Sequence, residues 1–276
     1  FDRAEECFKL LKGTELHETA MQQLLLIYQS QQEWSQAIEI AQQMKRTPES
    51  ETALMHFHCE CAAQAMSQKN HIEAEREIAA ALAWRPTSVR ALLLKANGYA
   101  HQSRYAQAIT LLKNLADSQP AAIALLVNDI MAAYEALGEP AIGLQYLYEQ
   151  ALATGSVDVL NAWLIAQGKY GDASQTTAQL YAVFAQHPSL NALDKVLQQR
   201  LSSTTDTAAQ QETSMIQGLI KKQVLQFSRY RCSSCGFEAA RYYWQCPACT
   251  RWETYPPKRL EELEQAKHSR GQVNGY

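Results

Sequence analysis

The sequence predicts an all-α fold, in which a solenoid of paired helices carries a small cysteine-rich module near its C-terminal end. Small residues that recur every 34 positions, and prolines that recur at the same interval, predict the solenoid. Two Cys-x-x-Cys pairs between Cys232 and Cys249 predict the module. With 276 residues, the chain is long enough for both parts.

The repeat is clearest in the middle of the chain. Ala74 and Ala108 are 34 residues apart, and so are Pro86 and Pro120. Further copies contain Tyr28, Trp34 and Ala37 upstream, and Tyr134, Gly143 and Pro188 downstream. Two antiparallel helices in each unit of about 34 residues form the tetratricopeptide pattern, so we predict a tetratricopeptide-repeat solenoid. An unrelated helical bundle is the alternative.

The residue types at the repeating positions fit this architecture. Small residues such as Ala37 let the two helices of a unit approach closely, and aromatic residues such as Tyr99 fill the gap to the next unit. Proline ends the second helix because it lacks the N–H and clashes with the preceding turn. We predict repeats over residues 1–188, with residues 1–13 as the second helix of a truncated first repeat.

The period fades after residue 188. We predict that residues 189–228 form capping helices at 190–201 and 209–227, with Asp206 as the N-cap of the second. Residues 229–256 are predicted to form the four-cysteine module. Residues 257–276 are predicted to form a tail, with a short helix at 261–267 and disorder from residue 268.

Charge and hydropathy set further limits. The net charge is −3, but residues 219–276 contain ten Lys/Arg and five Asp/Glu, so the acidic part and the basic end are predicted to be different domains. We expect no membrane span in this chain, because its most apolar stretch, Ala121 to Leu137, contains Asn128 and Asp129. The chain starts without Met, in what reads as mid-helix, so we expect a fragment that lacks an upstream anchor.

The two cysteine pairs are the strongest sign of function. Each Cys-x-x-Cys turn directs two sulfurs to one point, and Gly236 and Pro247 suit the tight turns. The predicted metal ligands are Cys232, Cys235, Cys246 and Cys249. Because no histidine lies in the segment, we predict one zinc or iron ion held by four thiolates. The alternatives are four unliganded thiols and a redox dithiol, which lacks its usual strand and helix context.

Four thiolates leave no position for water or substrate, so the predicted metal is structural, or carries one electron if it is iron. The aromatic residues Tyr242, Tyr243, Trp244 and Trp252 are predicted to pack around it, with stacking on nucleic-acid bases as the alternative. The sequence contains no Gly-rich phosphate loop, HExxH or GxSxG motif, and we predict that the protein is not an enzyme.

The other cysteines, Cys7, Cys59 and Cys61, are predicted to be small core residues. An odd number of cysteines with paired knuckles fits a reducing compartment and a metal, not a disulfide framework. His56 and His58 are predicted to be helix-surface or packing residues.

Three parts of the sequence together resemble one family. They are the tetratricopeptide repeats, the string YRCSSCGF at residues 230–237, and YWQCPAC at residues 243–249 with Trp252 beyond it. The chain resembles the lipopolysaccharide assembly protein B (LapB, or YciM) family over nearly its whole length. Asp2-Arg3-Ala4-Glu5 and residues 22–38 are similar as well.

This resemblance implies a regulatory adaptor on the cytoplasmic face of the Gram-negative inner membrane, held by an N-terminal anchor absent from this chain. It implies that the adaptor promotes proteolysis of the deacetylase LpxC by the protease FtsH, with other lipopolysaccharide-assembly proteins and lipopolysaccharide itself as further partners. It also implies a rubredoxin-like (zinc-ribbon) module that packs onto the repeats. The alternatives are an iron-dependent electron carrier and a nucleic-acid-binding zinc ribbon, which the basic end with its interleaved aromatic residues supports.

Overall fold

A computed structural model describes residues 14–265, together with residues 6, 8, 10 and 11. The predictions for Cys7, for the truncated first repeat and for the end of the tail therefore lie wholly or largely outside the described residues. The described residues fall into two compact units that divide between Leu112 and Lys113.

The described part of the chain is mainly helical, as the repeat pattern predicts. The helices are α1 (His17–Gln31), α2 (Trp34–Gln43), α3 (Pro48–Ser67), α4 (His71–Trp84), α5 (Val89–His101), α6 (Tyr105–Ser118), α7 (Ile123–Leu137), α8 (Pro140–Thr154), α9 (Val157–Tyr170), α10 (Ala173–Gln186), α11 (Leu190–Ser203) and α12 (Thr207–Phe227). A 3-10 turn, Pro120–Ala122, precedes α7. Two short strands follow, β1 (Tyr230–Arg231) and β2 (Glu238–Ala239).

Within each unit, helices pack against the next helix and often against the next but one, as expected for stacked pairs. The small repeating residues lie at the closest approaches: Ala37 and Ala108 are almost completely buried. A Cβ atom on Gly143 would lie 2.9 Å from Met131 Sδ and from Tyr134 Cβ. The predicted stacking of helix pairs is therefore confirmed within each unit, and the repeating small residues act as spacers.

The first unit buries polar as well as apolar side chains. Cys59 lies in a core cluster with Met55, Ala81 and Ala91, as its predicted role requires. His58 is also buried, and its Nδ1 lies 2.7 Å from Glu77 Oε2. His58 is therefore a packing residue with a buried partner rather than a surface residue.

The second unit contains the most apolar helix. By length and composition, the segment Pro120–Leu137 is long and apolar enough to cross a membrane, in contrast to the prediction that this chain contains no such segment. Asn128 and Asp129 are too few to offset the surrounding apolar residues. Half of this segment is buried, and Leu126, Val127 and Ile130 are completely enclosed, as in a core helix of a repeat.

The last two helices match their prediction closely. The predicted spans 190–201 and 209–227 correspond to α11 and α12. Asp206 is the N-cap of α12, and its carboxylate accepts a hydrogen bond from the backbone N–H of Ala208. Residues 260–265 form a further short helical segment, where a helix at 261–267 was predicted.

Candidate metal centre

Two similar turns build the cysteine module. In the first, the N–H of Gly236 donates to the carbonyl of Cys232 (3.0 Å); in the second, the N–H of Thr250 donates to the carbonyl of Cys246 (2.9 Å). The residue after each Cys-x-x-Cys is left-handed, with φ of 78° at Gly236 and 57° at Thr250. Glycine adopts this conformation freely, as the sequence predicts for Gly236, whereas β-branched Thr250 is strained there.

A small antiparallel sheet places the first turn. Tyr230 pairs with Ala239, and Arg231 pairs with Glu238. A bridge between Gln245 and Trp252 closes the second turn in the same way. Each turn is therefore held at its base by antiparallel pairing, as in a metal knuckle.

The structure brings all four predicted cysteines together. The Sγ atoms of Cys232 and Cys249 are 3.8 Å apart, those of Cys235 and Cys246 are 3.6 Å apart, and all four lie within 4.8 Å of one another. Four sulfurs around a zinc ion at about 2.3 Å would be about 3.8 Å apart. The donor set therefore fits one tetrahedrally coordinated metal ion that prefers sulfur.

The two cysteines of each turn differ in exposure. Cys232 and Cys246 are each 1% exposed, whereas Cys249 is half-buried and Cys235 is exposed. Burial alone would raise the pKa of Cys232, but its hydrogen bond with the Thr254 side chain (3.2 Å) and hydrogen bonds from backbone N–H groups lower the pKa to about 6. These donors favour the thiolate, which is the form that binds a metal.

Cys235 has the opposite tendency. The backbone N–H of Phe237 lowers its pKa, but partial desolvation and the three neighbouring sulfurs outweigh this and raise the pKa to about 12. Four negative sulfurs repel one another at these distances, so one keeps a proton unless a cation is present. A bound cation would therefore offset the negative charge of the four thiolates and stabilise the cluster.

Aromatic side chains form the core of the module. Tyr255 is 2% exposed, and its hydroxyl donates to the carbonyl of Phe237 (3.2 Å) beside Cys246. The ring of Tyr242 contacts the rings of Tyr230, Trp244 and Tyr255 edge-on. These rings pack against one another, as the sequence predicts, so their faces are not arranged as platforms for bases.

An ion pair joins the module to helix α9 of the same unit. Asp158, in the first turn of α9, accepts hydrogen bonds from Arg259 Nε at 3.1 and 3.0 Å and from Arg259 Nη2. The Tyr230 hydroxyl donates to the same carboxylate at 2.6 Å, and the Arg259 guanidinium lies 4.8 Å from the Tyr230 ring centre. Desolvation, followed by the nearby Asp158 charge, raises the pKa of Tyr230, so it stays a neutral donor.

Two adjacent glutamates cap two helices of the scaffold. Glu261 accepts hydrogen bonds from the backbone N–H groups of Leu190 and Asn191 at the start of α11, and from the Asn191 amide. Glu262 accepts from the backbone N–H of Val157, the first residue of α9 (3.3 Å). A carboxylate suits both positions because the first N–H groups of a helix lack partners within it.

The sequence did not reveal these anchoring residues. The sequence predicts a tail without an assigned role at residues 257–276, whereas Arg259, Glu261 and Glu262 fix the module to α9 and α11. Their partners lie 70 to 105 residues away in the chain. The only local signal is the charged string Lys-Arg-Leu-Glu-Glu after Pro256-Pro257.

Comparison with known proteins supports the reading of both parts. Residues 230–257 match the family described as a rubredoxin metal binding domain. Lipopolysaccharide assembly protein B of Haemophilus influenzae is 29% identical over 266 residues, which cover 95% of this chain and 67% of that protein. The Escherichia coli K12 protein of the same name is 27% identical over 94% of this chain and 67% of its own length. The resemblance in the sequence is therefore confirmed, and it extends through the helices as well as the cysteines.

Proposed function

We propose that this protein is a non-enzymatic adaptor in lipopolysaccharide assembly, in which the helices bind a protein partner and the cysteine module braces them. The observation that carries this proposal is the joint between the two parts. Asp158, Arg259, Glu261 and Glu262 link the module to the starts of α9 and α11 through buried or half-buried polar contacts. The assembly role is suggested by the similar proteins, which are lipopolysaccharide assembly proteins B.

Within this proposal, Cys232, Cys235, Cys246 and Cys249 bind one zinc or iron ion. A metal bound by four thiolates supplies folding free energy and offers no open position for substrate. Tyr255 and its aromatic neighbours form the core of the module, and Arg259 orients the module against α9. The metal does not contact the partner in this proposal. It stabilises the module, and the module in turn keeps the helices in one conformation.

The resemblance also suggests where and on what the adaptor acts. We place it at the cytoplasmic face of the inner membrane, where it promotes degradation of the deacetylase LpxC by the protease FtsH. Other lipopolysaccharide-assembly proteins, and lipopolysaccharide itself, are further candidate partners. A stacked-helix scaffold suits this work because such scaffolds expose long surfaces to partner segments.

The test is the turnover of the deacetylase in cells. We expect the LpxC half-life to lengthen when the gene that encodes this protein is deleted, and to return to normal when the gene is restored. Restoring it as the Cys246→Ser or Asp158→Asn variant should fail. A Glu238→Gln variant, which breaks an exposed ion pair of the module, is the control and should restore turnover. An unchanged half-life in the deletion strain would reject the proposal.

An electron carrier is the second candidate, because Cys235 is exposed and Cys249 half-buried. If the metal is iron, this edge would bring it within reach of a redox partner. Metal analysis and the visible spectrum separate the two functions, since a ferric thiolate centre is coloured and zinc is colourless. A colourless protein that contains one zinc ion would exclude electron transfer.

A further inference from the structure

The exposed side of helix α12 is more apolar than expected for the last helix of a solenoid. A terminal capping helix is expected to be polar on its outer face. In α12, however, Met215 is 72% exposed, Leu219 64% and Leu225 65%. On its other side α12 packs against α11, where Gln217 donates to Asp194 (3.2 Å) and Thr213 is buried. The outer side is therefore a surface that another molecule would be expected to cover.

The exposed residues of α12 follow the spacing of a helix-pairing seam. One line of residues, spaced alternately four and three apart, consists of Ala208, Glu212, Met215, Leu219, Lys222 and Gln226, which we call the α12 seam. All six are exposed. Alternation of four and three keeps one edge of a helix facing a partner helix, as in a coiled coil. The helix has 21 residues and is about 31 Å long, enough for three turns on each side of the seam centre.

The charges of the seam complement each other when two copies run antiparallel. If the two-fold axis passes at residue 217, Met215 of one copy faces Leu219 of the other. Glu212 then faces Lys222, and Ala208 faces Gln226. Neither Glu212 nor Lys222 forms an ion pair among the residues that the structure describes. Two apolar layers at the centre are thus bracketed by two ion pairs.

We propose that α12 is a dimerisation helix, which pairs antiparallel with α12 of a second copy of this chain. A parallel pair in register would place Glu212 against Glu212 and Lys222 against Lys222, so the charges select the antiparallel arrangement. Antiparallel helices also align their dipoles favourably. A membrane surface is a poorer occupant, because Glu212 lies on the line of the apolar residues and would face the anionic lipids.

This inference goes beyond the adaptor proposal and is independent of it. It concerns a face of the second unit that shares no residue with the metal centre or its joint to α9 and α11. A two-fold interface also makes both copies equivalent, as most homo-oligomers are.

Sedimentation of the metal-loaded 276-residue chain tests the dimer. We expect the mass to rise from 31.0 kDa toward twice that value as concentration increases through the micromolar range. Leu219→Arg should weaken the dimer at least tenfold without unfolding the protein, because this side chain is exposed. Ile142→Gln, which removes a comparably exposed apolar side chain from α8, is the control and should leave association unchanged.

A charge exchange tests the orientation. Glu212→Lys and Lys222→Glu should each weaken association severalfold, because each places like charges opposite one another twice in the dimer. The double variant should recover the affinity of the original chain. A monomer at 100 µM overturns the proposal, whether or not it binds vesicles of anionic phospholipid, and so does a dimer that the Leu219 and charge variants leave unaffected. A double variant as weak as either single variant overturns the antiparallel pairing.

Discussion

Different interactions stabilise the helical scaffold and the cysteine module. In α7, a continuous row of side chains is buried, including Leu126, Val127 and Ile130. The core of the module consists of Tyr230, Cys232, Ala239, Cys246 and Tyr255. A segment this small cannot bury enough apolar surface to fold on that basis alone. It depends instead on its thiolates, its aromatic contacts and a few charged residues.

This difference determines how each part responds to change. In the scaffold, stability is spread over many similar contacts between neighbouring helices, so the loss of one costs a limited amount. In the module, the same free energy is concentrated in the four sulfurs and in the joint at Asp158 and Arg259. Single changes there should therefore affect the module and leave the scaffold largely intact.

Removal of the metal should have the largest effect. A chelator, or Cys246→Ser, takes away a binding free energy of roughly 10 kcal/mol and leaves buried sulfurs without a cation. The near-ultraviolet circular dichroism of the module's Tyr and Trp residues should then collapse, while the far-ultraviolet signal of the helices is retained.

Cys61→Ser, at a half-buried cysteine outside the cluster, is the control and should change neither signal. If the helical signal is lost cooperatively with the aromatic signal, the two parts fold as one unit. That result would contradict the view that the scaffold and the module are stabilised separately.

The Asp158→Asn variant should weaken the joint. It leaves Arg259, whose side chain is 16% exposed, without its anion, and such a loss costs about 3 kcal/mol. We expect faster proteolysis between α12 and the module and a lower melting temperature. The matched control is Glu238→Gln, whose partner Arg231 is 45% exposed, so its effect should stay near 0.5 kcal/mol. Equal effects of the two variants would mean that the joint contributes little.

Titration of Glu262 should make the stability of the folded protein depend on pH. Desolvation, followed by the charge of Asp158, raises the pKa of this carboxyl from 4.5 to about 7, although the N–H of Val157 opposes the shift. Because its pKa is higher in the folded state, the folded protein retains the proton better. Stability should therefore fall by about 3 kcal/mol as the pH rises from 4.5 through 7, and level off above that.

Glu262→Gln removes this titration and keeps an acceptor for Val157. Denaturant unfolding at pH 5 and pH 8 should show a smaller difference for the variant than for the original chain, whereas Glu264→Gln should behave like the original. Identical pH profiles for Glu262→Gln and the original chain would contradict the assignment.

Much of the molecule was predictable from local patterns. The spacing of Ala37, Ala74 and Ala108 identified stacked helix pairs, because close helix packing tolerates only small residues at fixed intervals. The two Cys-x-x-Cys strings identified the sulfur cluster, since each string is itself the turn that directs its sulfurs. Asp206 was recognisable as a cap because it sits just before its own helix.

The joint between the parts was not predictable in this way. Glu261 and Glu262 cap helices that begin 71 and 105 residues earlier, and no local pattern marks a carboxylate for that use. Thr250 likewise adopts a left-handed conformation that its residue type disfavours, which only the geometry of the second turn imposes.

The sequence by itself thus determined the repeat, the clustering of the four candidate ligands and the places where helices begin and end, because these depend on neighbours a few residues apart. Only the tertiary structure decided which carboxylate caps which helix, which sulfurs face solvent, and which side of α12 stays uncovered. Those features depend on groups that are distant in the chain and become neighbours only when the second unit is folded.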